Sequence, residues 1–151
     1  MLEVVRKSRI SPRLLRITLG GEQFGEVRTN DFTDAYVKLL IAQPGSDLHP
    51  PYDLDTIRAQ DPASLPSRRT YTVRSWDHEA HTLDLDFVLH GHGDGADEDG
   101  IAARWADLAQ PGDRVALSGA GGGYSPDPAA AFHLLIGDHA ALPAIAAALE
   151  R

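Results

Sequence analysis

The chain is organised around Arg69-Thr70-Tyr71-Thr72-Val73-Arg74. Thr, Tyr and Val are strand formers, so the six residues predict a β-strand. Side chains alternate along a strand, which puts Arg69, Tyr71 and Val73 on one face and Thr70, Thr72 and Arg74 on the other. A guanidinium beside an aromatic ring suits a ligand that is both anionic and flat. The guanidinium can grip a phosphate with two hydrogen bonds, and the phenol ring can stack on a heterocycle. The backbone amide and hydroxyl of Thr72 can bond the polar rim of such a ring. A surface strand with scattered polar residues is the competing reading of the same six residues.

Outward from this strand, the N-terminal side repeats the β pattern. Leu2–Arg9 alternates loosely. After the Ser11-Pro12 turn, Arg13–Leu19 sets Leu15, Ile17 and Leu19 on one face. Ala35–Ala42 predicts a third strand, ended by Pro44-Gly45. Residues 46–68 hold Pro50, Pro51, Pro62 and Pro66. That segment is too long for an ordinary connection and is either functional or mobile.

On the C-terminal side, His81–Leu89 alternates strictly. Leu83, Leu85, Phe87 and Leu89 face one way, and Asp84, Asp86, Val88 and His90 the other. Ile101–Ala109 has helical spacing in Ile101, Trp105 and Leu108. Trp105 on that stripe is either core or a cofactor contact. Pro111-Gly112-Asp113 predicts a turn, and Arg114–Ser118 a further strand. Short alternating strands with turns between them predict a mainly β, antiparallel barrel. The last residues change character. Phe132–Ile136 is a wholly apolar strand pattern of the kind buried in parallel sheets, and Asp138–Arg151 predicts a helix interrupted early by Pro143. Together they predict the first β–α unit of an α/β domain that the chain does not complete. The domain boundary falls between residues 1–130 and 131–151.

Bulk composition excludes several functions. The 151 residues contain no cysteine, so there is no disulfide, no thiolate catalysis and no cysteine-ligated cluster. No apolar run is long enough to span a membrane, and Met1–Arg6 lacks the apolar core of a signal peptide. These features are compatible with a cytoplasmic protein. A net charge of −8 argues against nucleic acid as a partner. Three local patterns carry chemistry only weakly. His90–Gly100 is rich in His, Asp and Gly, but aligned on Asp97, Asp99 and Gly100 it fails the calcium-loop spacing at Gly95 and Ala106. A solvated loop and a His/Asp metal site both remain open there. Gly119–Tyr124 lacks the third glycine of a dinucleotide fingerprint and predicts a tight turn ending the barrel. No Gly-x-Ser-x-Gly elbow occurs.

Several stretches in order carry a wider likeness: Tyr36-Val-Lys-Leu-Leu40, Arg69–Arg74, Asp86-Phe-Val-Leu-His-Gly91, Ala102-Ala-Arg-Trp-Ala106, Pro111-Gly-Asp113, and Gly137-Asp138 followed by Ala141-Leu-Pro-Ala-Ile145. On these the chain resembles the siderophore-interacting proteins, FAD-binding ferric-siderophore reductases of the ferredoxin-reductase-like superfamily. The resemblance implies a Greek-key β-barrel FAD domain with a short helix, followed by the start of a truncated α/β NAD(P)-binding-like domain. It implies FAD as cofactor, NAD(P)H or ferredoxin as electron donor, and a ferric siderophore as the partner whose Fe(III) is reduced for iron acquisition. It implies a cofactor run at Arg69 (phosphates), Tyr71 (stacking on the isoalloxazine), Thr72 (near the reactive nitrogen), Val73 and Arg74. His90 and Gly91 would lie along the cofactor. Ala102 and Ala103 would open a helix toward the pyrophosphate, and Asp138 would mark the domain junction. No side chain is assigned acid–base work, and no resident metal is implied. The chain departs from the family pattern at Gly100-Ile101-Ala102 (where Gly-Pro-Ala is usual), at Gly119-Ala120, and at Gly137-Asp138-His139-Ala140 (where Gly-Asp-Glu-Thr is usual). A non-catalytic module binding flavin, siderophore or metal is the alternative function.

Overall fold

A computed structural model describes residues 1–89 and 100–151. Six strands form its core: β1 (Leu2–Ser11), β2 (Leu14–Gly20), β3 (Tyr36–Ile41), β4 (Ser67–Asp77), β5 (Thr82–Val88) and β6 (Arg114–Gly121). They close into a barrel in the order β1-β2-β5-β4-β3-β6, with every neighbouring pair antiparallel. Strands β3, β4 and β5 form a meander, and β6 returns beside β3, which is the Greek-key arrangement. Closure pairs each strand with two neighbours, though not along its whole length.

The strictly alternating strands set the register. Leu15, Ile17 and Leu19 on β2 lie opposite Phe87, Leu85 and Leu83 on β5. All six are at most 3% exposed, and with Val37, Leu39 and Val115 they fill the barrel. A one-residue slip in this pair would turn the whole apolar set outward. On the other face of the same two strands, Arg16 lies opposite Asp86 and Thr18 opposite Asp84. That face is not simply solvated. Asp86 is only 8% exposed, because its carboxylate takes two hydrogen bonds from Arg16.

Helix α2 (Ile101–Leu108) turns Ala102, Ala103 and Ala106 inward. Such small side chains let its axis come close to the barrel. Trp105 packs against Phe87, with ring centroids 5.7 Å apart. Of the two readings of Trp105, the core contact is the one observed. Trp76 meets Phe24 edge-on, also as packing.

Residues 46–68 contain helix α1 (Leu54–Gln60) and a 3-10 turn at Pro62–Ser64, and three expectations elsewhere need correction. Asp53 starts α1 by accepting a hydrogen bond from the Thr56 amide, a cap that the surrounding prolines mask in sequence. The glycine run does not end β6 at Ser118. The strand continues to Gly121, opposite Tyr36. Between the pairs Val37–Ala120 and Leu39–Leu117, β6 carries one residue more than β3, and Gly119 at φ +71° absorbs that bulge. Phe132–Ile136 forms no strand; Phe132, Leu134 and Ile136 are 81%, 75% and 84% exposed. A parallel strand needs flanking strands to receive its hydrogen bonds, and none of the described residues supplies them. Finally, Pro143 does not interrupt a helix begun at Asp138. It sits in the first turn of α3 (Leu142–Leu149), where its missing N–H costs no helical bond.

Candidate functional site

The ladder between β4 and β5 runs only from Val73 to Asp77. Before Val73, β4 pairs with β3 alone, from Ser67 to Thr72. The Val73 amide donates to Ala35 O on the β3 side. Amides alternate direction along a strand, so those of Thr70 and Thr72 point the other way, to the unladdered edge. A cavity of about 450 Å³ lies against this edge, within the range of small-molecule sites.

Arg69, Tyr71, Thr72, Ala102, Ala103 and Asp138 all line this one cavity. Arg69, Thr70, Tyr71 and Thr72 contribute together although their side chains alternate faces, because the cavity borders the strand's edge. The Tyr71 ring rests on Phe87, with centroids 4.2 Å apart. Burial pushes the Tyr71 phenol up to about 12, with nearby Arg69 pulling weakly the other way. The ring is therefore neutral at any working pH and is braced from below by a core aromatic. Arg69 is exposed, and its Nη1 donates to its neighbour's carbonyl, Arg68 O, at 3.0 Å.

At α2 the amides of Ala103 and Arg104 both donate to Gly100 O. Gly100 has no side chain with which to cap the helix. The first amides of a helix have no intrahelical acceptor, so the start of α2, where Ala102 and Ala103 line the cavity, can face an anion. The third wall is the turn ahead of α3. There Asp138 Oδ1 accepts from the amides of Ala140 (2.9 Å) and Ala141 (3.2 Å).

Two residues of the expected cofactor run lie elsewhere. Val73 is 3% exposed in the barrel core. Arg74 does not line the cavity; its guanidinium is held by Glu150. His90, Gly91 and the acidic stretch through Asp99 lie outside the described residues.

Sequence reasoning missed Arg13, Asp86 and His139, which also line the cavity. Arg13 lies in the β1–β2 turn and is brought there by pairing: the Leu89 amide donates to Arg13 O at 2.9 Å. No local pattern signals that placement. His139 stands where the family pattern has a carboxylate, and that departure was the one available signal.

The arrangement fits an anionic aromatic ligand. Arg13 and Arg69 bring two cations to the cavity of a chain with net charge −8. Of the described carboxylates there, Asp86 is paired with Arg16 and Asp138 is occupied by amides. Cations, a flat neutral ring, outward strand amides and an open helix start are what the phosphates and heterocycle of a dinucleotide such as FAD require. Among the described residues no group of three or more His, Asp or Glu could hold a metal ion, and no helix is long and apolar enough to cross a membrane.

Comparison with known proteins bears on the same region. The family described as siderophore-interacting FAD-binding domain matches residues 3–124. The chain is 35% identical to ferric vibriobactin reductase ViuB of Vibrio cholerae, over all of this chain and 53% of that protein. It is 34% identical to the NADPH-dependent ferric-chelate reductase of Escherichia coli, over 99% of this chain and 55% of that one. The crystal structure of the siderophore-interacting protein SipS from Aeromonas hydrophila superposes with a TM-score of 0.70 at 33% identity, covering 99% of this chain and 55% of SipS. The chain thus spans about half the length of these relatives.

Proposed function

The chain belongs to the siderophore-interacting FAD-binding family, and from that premise we propose that it is the flavin-holding part of a ferric-siderophore reductase. The observation that carries the reading is the meeting of Arg69, Tyr71, Thr72, Ala102 and Asp138 around one cavity. When bound, FAD would supply the conversion of a two-electron donor's reducing power into single electrons for Fe(III).

The chain's own residues bind and orient. Arg69 holds phosphate, with Arg13 as a second cation at the cavity. Tyr71 presents a neutral ring backed by Phe87. Thr72 offers its amide and hydroxyl to the polar rim of the flavin. The Ala102 end of α2 receives pyrophosphate. No residue of this chain is assigned acid–base work: the proton that a reduced flavin gives up with its two electrons would pass to solvent, and the product leaves when the chelate weakens. Hard anionic oxygen donors favour Fe(III) over Fe(II), so reduction loosens the siderophore's hold on its iron.

We read residues 1–130 as the flavin barrel and 131–151 as the opening of a second, α/β domain that meets the electron donor. The donor is NAD(P)H or ferredoxin; the NADPH named for the Escherichia coli relative favours the nucleotide. The lack of cysteine suits a reducing, cytoplasmic setting.

Chemically reducing the FAD-loaded chain, then mixing it anaerobically with catecholate or hydroxamate ferric siderophores, tests this reading. Electron balance predicts two Fe(II) per flavin, captured by an Fe(II)-selective chelator. Reduced protein that stays reduced with both classes, releasing no Fe(II), would overturn it.

A further inference from the structure

Arg74 closes the Arg69–Arg74 run yet makes no contact with the cavity. Its side chain is 18% exposed and projects from β4 to Glu150, which is 76 residues away and ends α3. Nη1 donates to Oε2 at 2.8 Å and Nη2 to Oε1, a bidentate grip. The Glu150 carboxyl is held below its usual range, first by the Arg74 hydrogen bonds, partly offset by desolvation, and then by the charges of Arg74 and Arg16.

Helix α3 also rests on β4, with residues 144–148 half-buried, but that packing is shallow. Only Pro143 among its residues is buried, and Leu142 and Leu149 are 41% and 74% exposed. One other polar tie lies at this end, from Arg151 Nη1 to Ser125 Oγ at 2.6 Å. The opposite end of α3 is the Asp138–Ala141 turn, and Asp138, His139, Ala140 and Pro143 line the cavity. Eight residues of helix make a rigid rod of roughly 12 Å. A grip on Glu150 therefore adds a fixed point at the end of the rod opposite the cavity wall at Asp138.

We propose that the Arg74–Glu150 pair is a latch that positions α3 and, through it, the Asp138–Ala140 wall of the flavin cavity. Arg74 is thus a positioning residue. It serves the cofactor through the helix and without touching it. The proposal rests on the flavin reading for its functional consequence and on geometry alone for the latch itself. The latch is complete above the ordinary carboxyl range and opens as pH falls through the lowered pKa of Glu150.

The test is a charge exchange. Arg74→Glu and Glu150→Arg, singly and combined, are measured for FAD affinity by flavin fluorescence, and for amide hydrogen exchange across 142–149 without ligand. Each single variant should weaken FAD binding roughly three- to tenfold and speed exchange in α3, a range suited to a partly solvated pair replaced by like charges. The combined variant should recover both readouts to within about twofold of the parent, as expected for a pairwise interaction. A direct phosphate contact by Arg74 predicts otherwise: Glu150→Arg would tighten FAD binding, and the exchange would not rescue it. That result overturns the proposal, as does unchanged α3 exchange in both single variants. If the parent protein binds no FAD, the flavin reading fails, while hydrogen exchange still decides the latch.

Discussion

Replacing Asp86 by Ala should destabilise the chain well beyond the loss of an ordinary surface carboxylate. Its side chain is 3% exposed and receives Arg16 Nε at 2.7 Å and Nη2 at 2.8 Å. Without it, the described carboxylates left to Arg16 are Asp84 at 4.0 Å, already engaged by Thr18 and Ser75, and the more distant charge of Glu150. Breaking a fully buried pair costs about 3–5 kcal/mol, because the survivor stays charged and unpaired. Arg16 is 23% exposed and retains some water, which brings the expectation down to roughly 2–3 kcal/mol. Unfolding entropy of about 2.1 cal/mol/K per residue turns that into a fall in Tm of roughly 6–10 °C for a domain of this size. Circular dichroism during heating and urea unfolding at pH 7 would measure it. Replacing both partners by apolar residues, Arg16→Met with Asp86→Leu, should lie much closer to the parent, because no charge is stranded. An Asp86→Ala protein within about 0.5 kcal/mol of the parent would refute the reasoning, since that is the range of ordinary surface substitutions.

Other perturbations have equally definite signs. The Tyr71 phenol is raised from 10.0 to about 12 in the folded chain, so its contribution is intact below pH 10 and is lost as pH rises from 10 to 12. Parent protein should lose roughly 2–3 kcal/mol more over that interval than Tyr71→Phe, and tyrosinate absorbance with every tyrosine ionising near pH 10 would count against the assignment. Phe87→Ala should cost about 3–5 kcal/mol by opening a cavity in the core. Phe87→Leu should unfold less readily than Phe87→Ala yet still weaken flavin binding, because the support under Tyr71 is changed; affinity equal to the parent's would count against it. Gly121→Ala would place a methyl 2.5 Å from the Tyr36 hydroxyl. Displacing that ring should cost about 1–3 kcal/mol in urea unfolding, and a neutral result would mean that Tyr36 moves freely.

The barrel was legible where one strand face is buried and the period-2 signal is complete. Arg13–Leu19 and His81–Leu89 showed both the element and its buried face in this way, and Ile101, Trp105 and Leu108 showed α2. Local pattern failed where long-range pairing decides the outcome. Phe132–Ile136 has strand composition but no neighbours among the described residues. Gly119 reads as a stop, and becomes a bulge only because β3 lies alongside. Helix α1 was hidden by prolines on either side, although Asp53 and Thr56 carry a capping signature. In the cavity, residues close in sequence to the Arg69 run could be found from it. Arg13 and His139 arrive through barrel closure and the α3 turn, which no short motif encodes. Arg74 shows the converse, since its membership of the run suggested a contact that the geometry assigns to Glu150.

FAD binding at the unladdered edge of Arg69–Thr72 is open to flavin fluorescence during titration of the purified chain, with Arg69→Ala and Tyr71→Ala measured alongside. Saturable quenching at one FAD per chain is expected, weakened on the order of tenfold or more by each substitution, as for a lost charge-assisted hydrogen bond and a lost stacking surface. A folded parent chain with no saturable flavin response, or one whose response is indifferent to both substitutions, would contradict it.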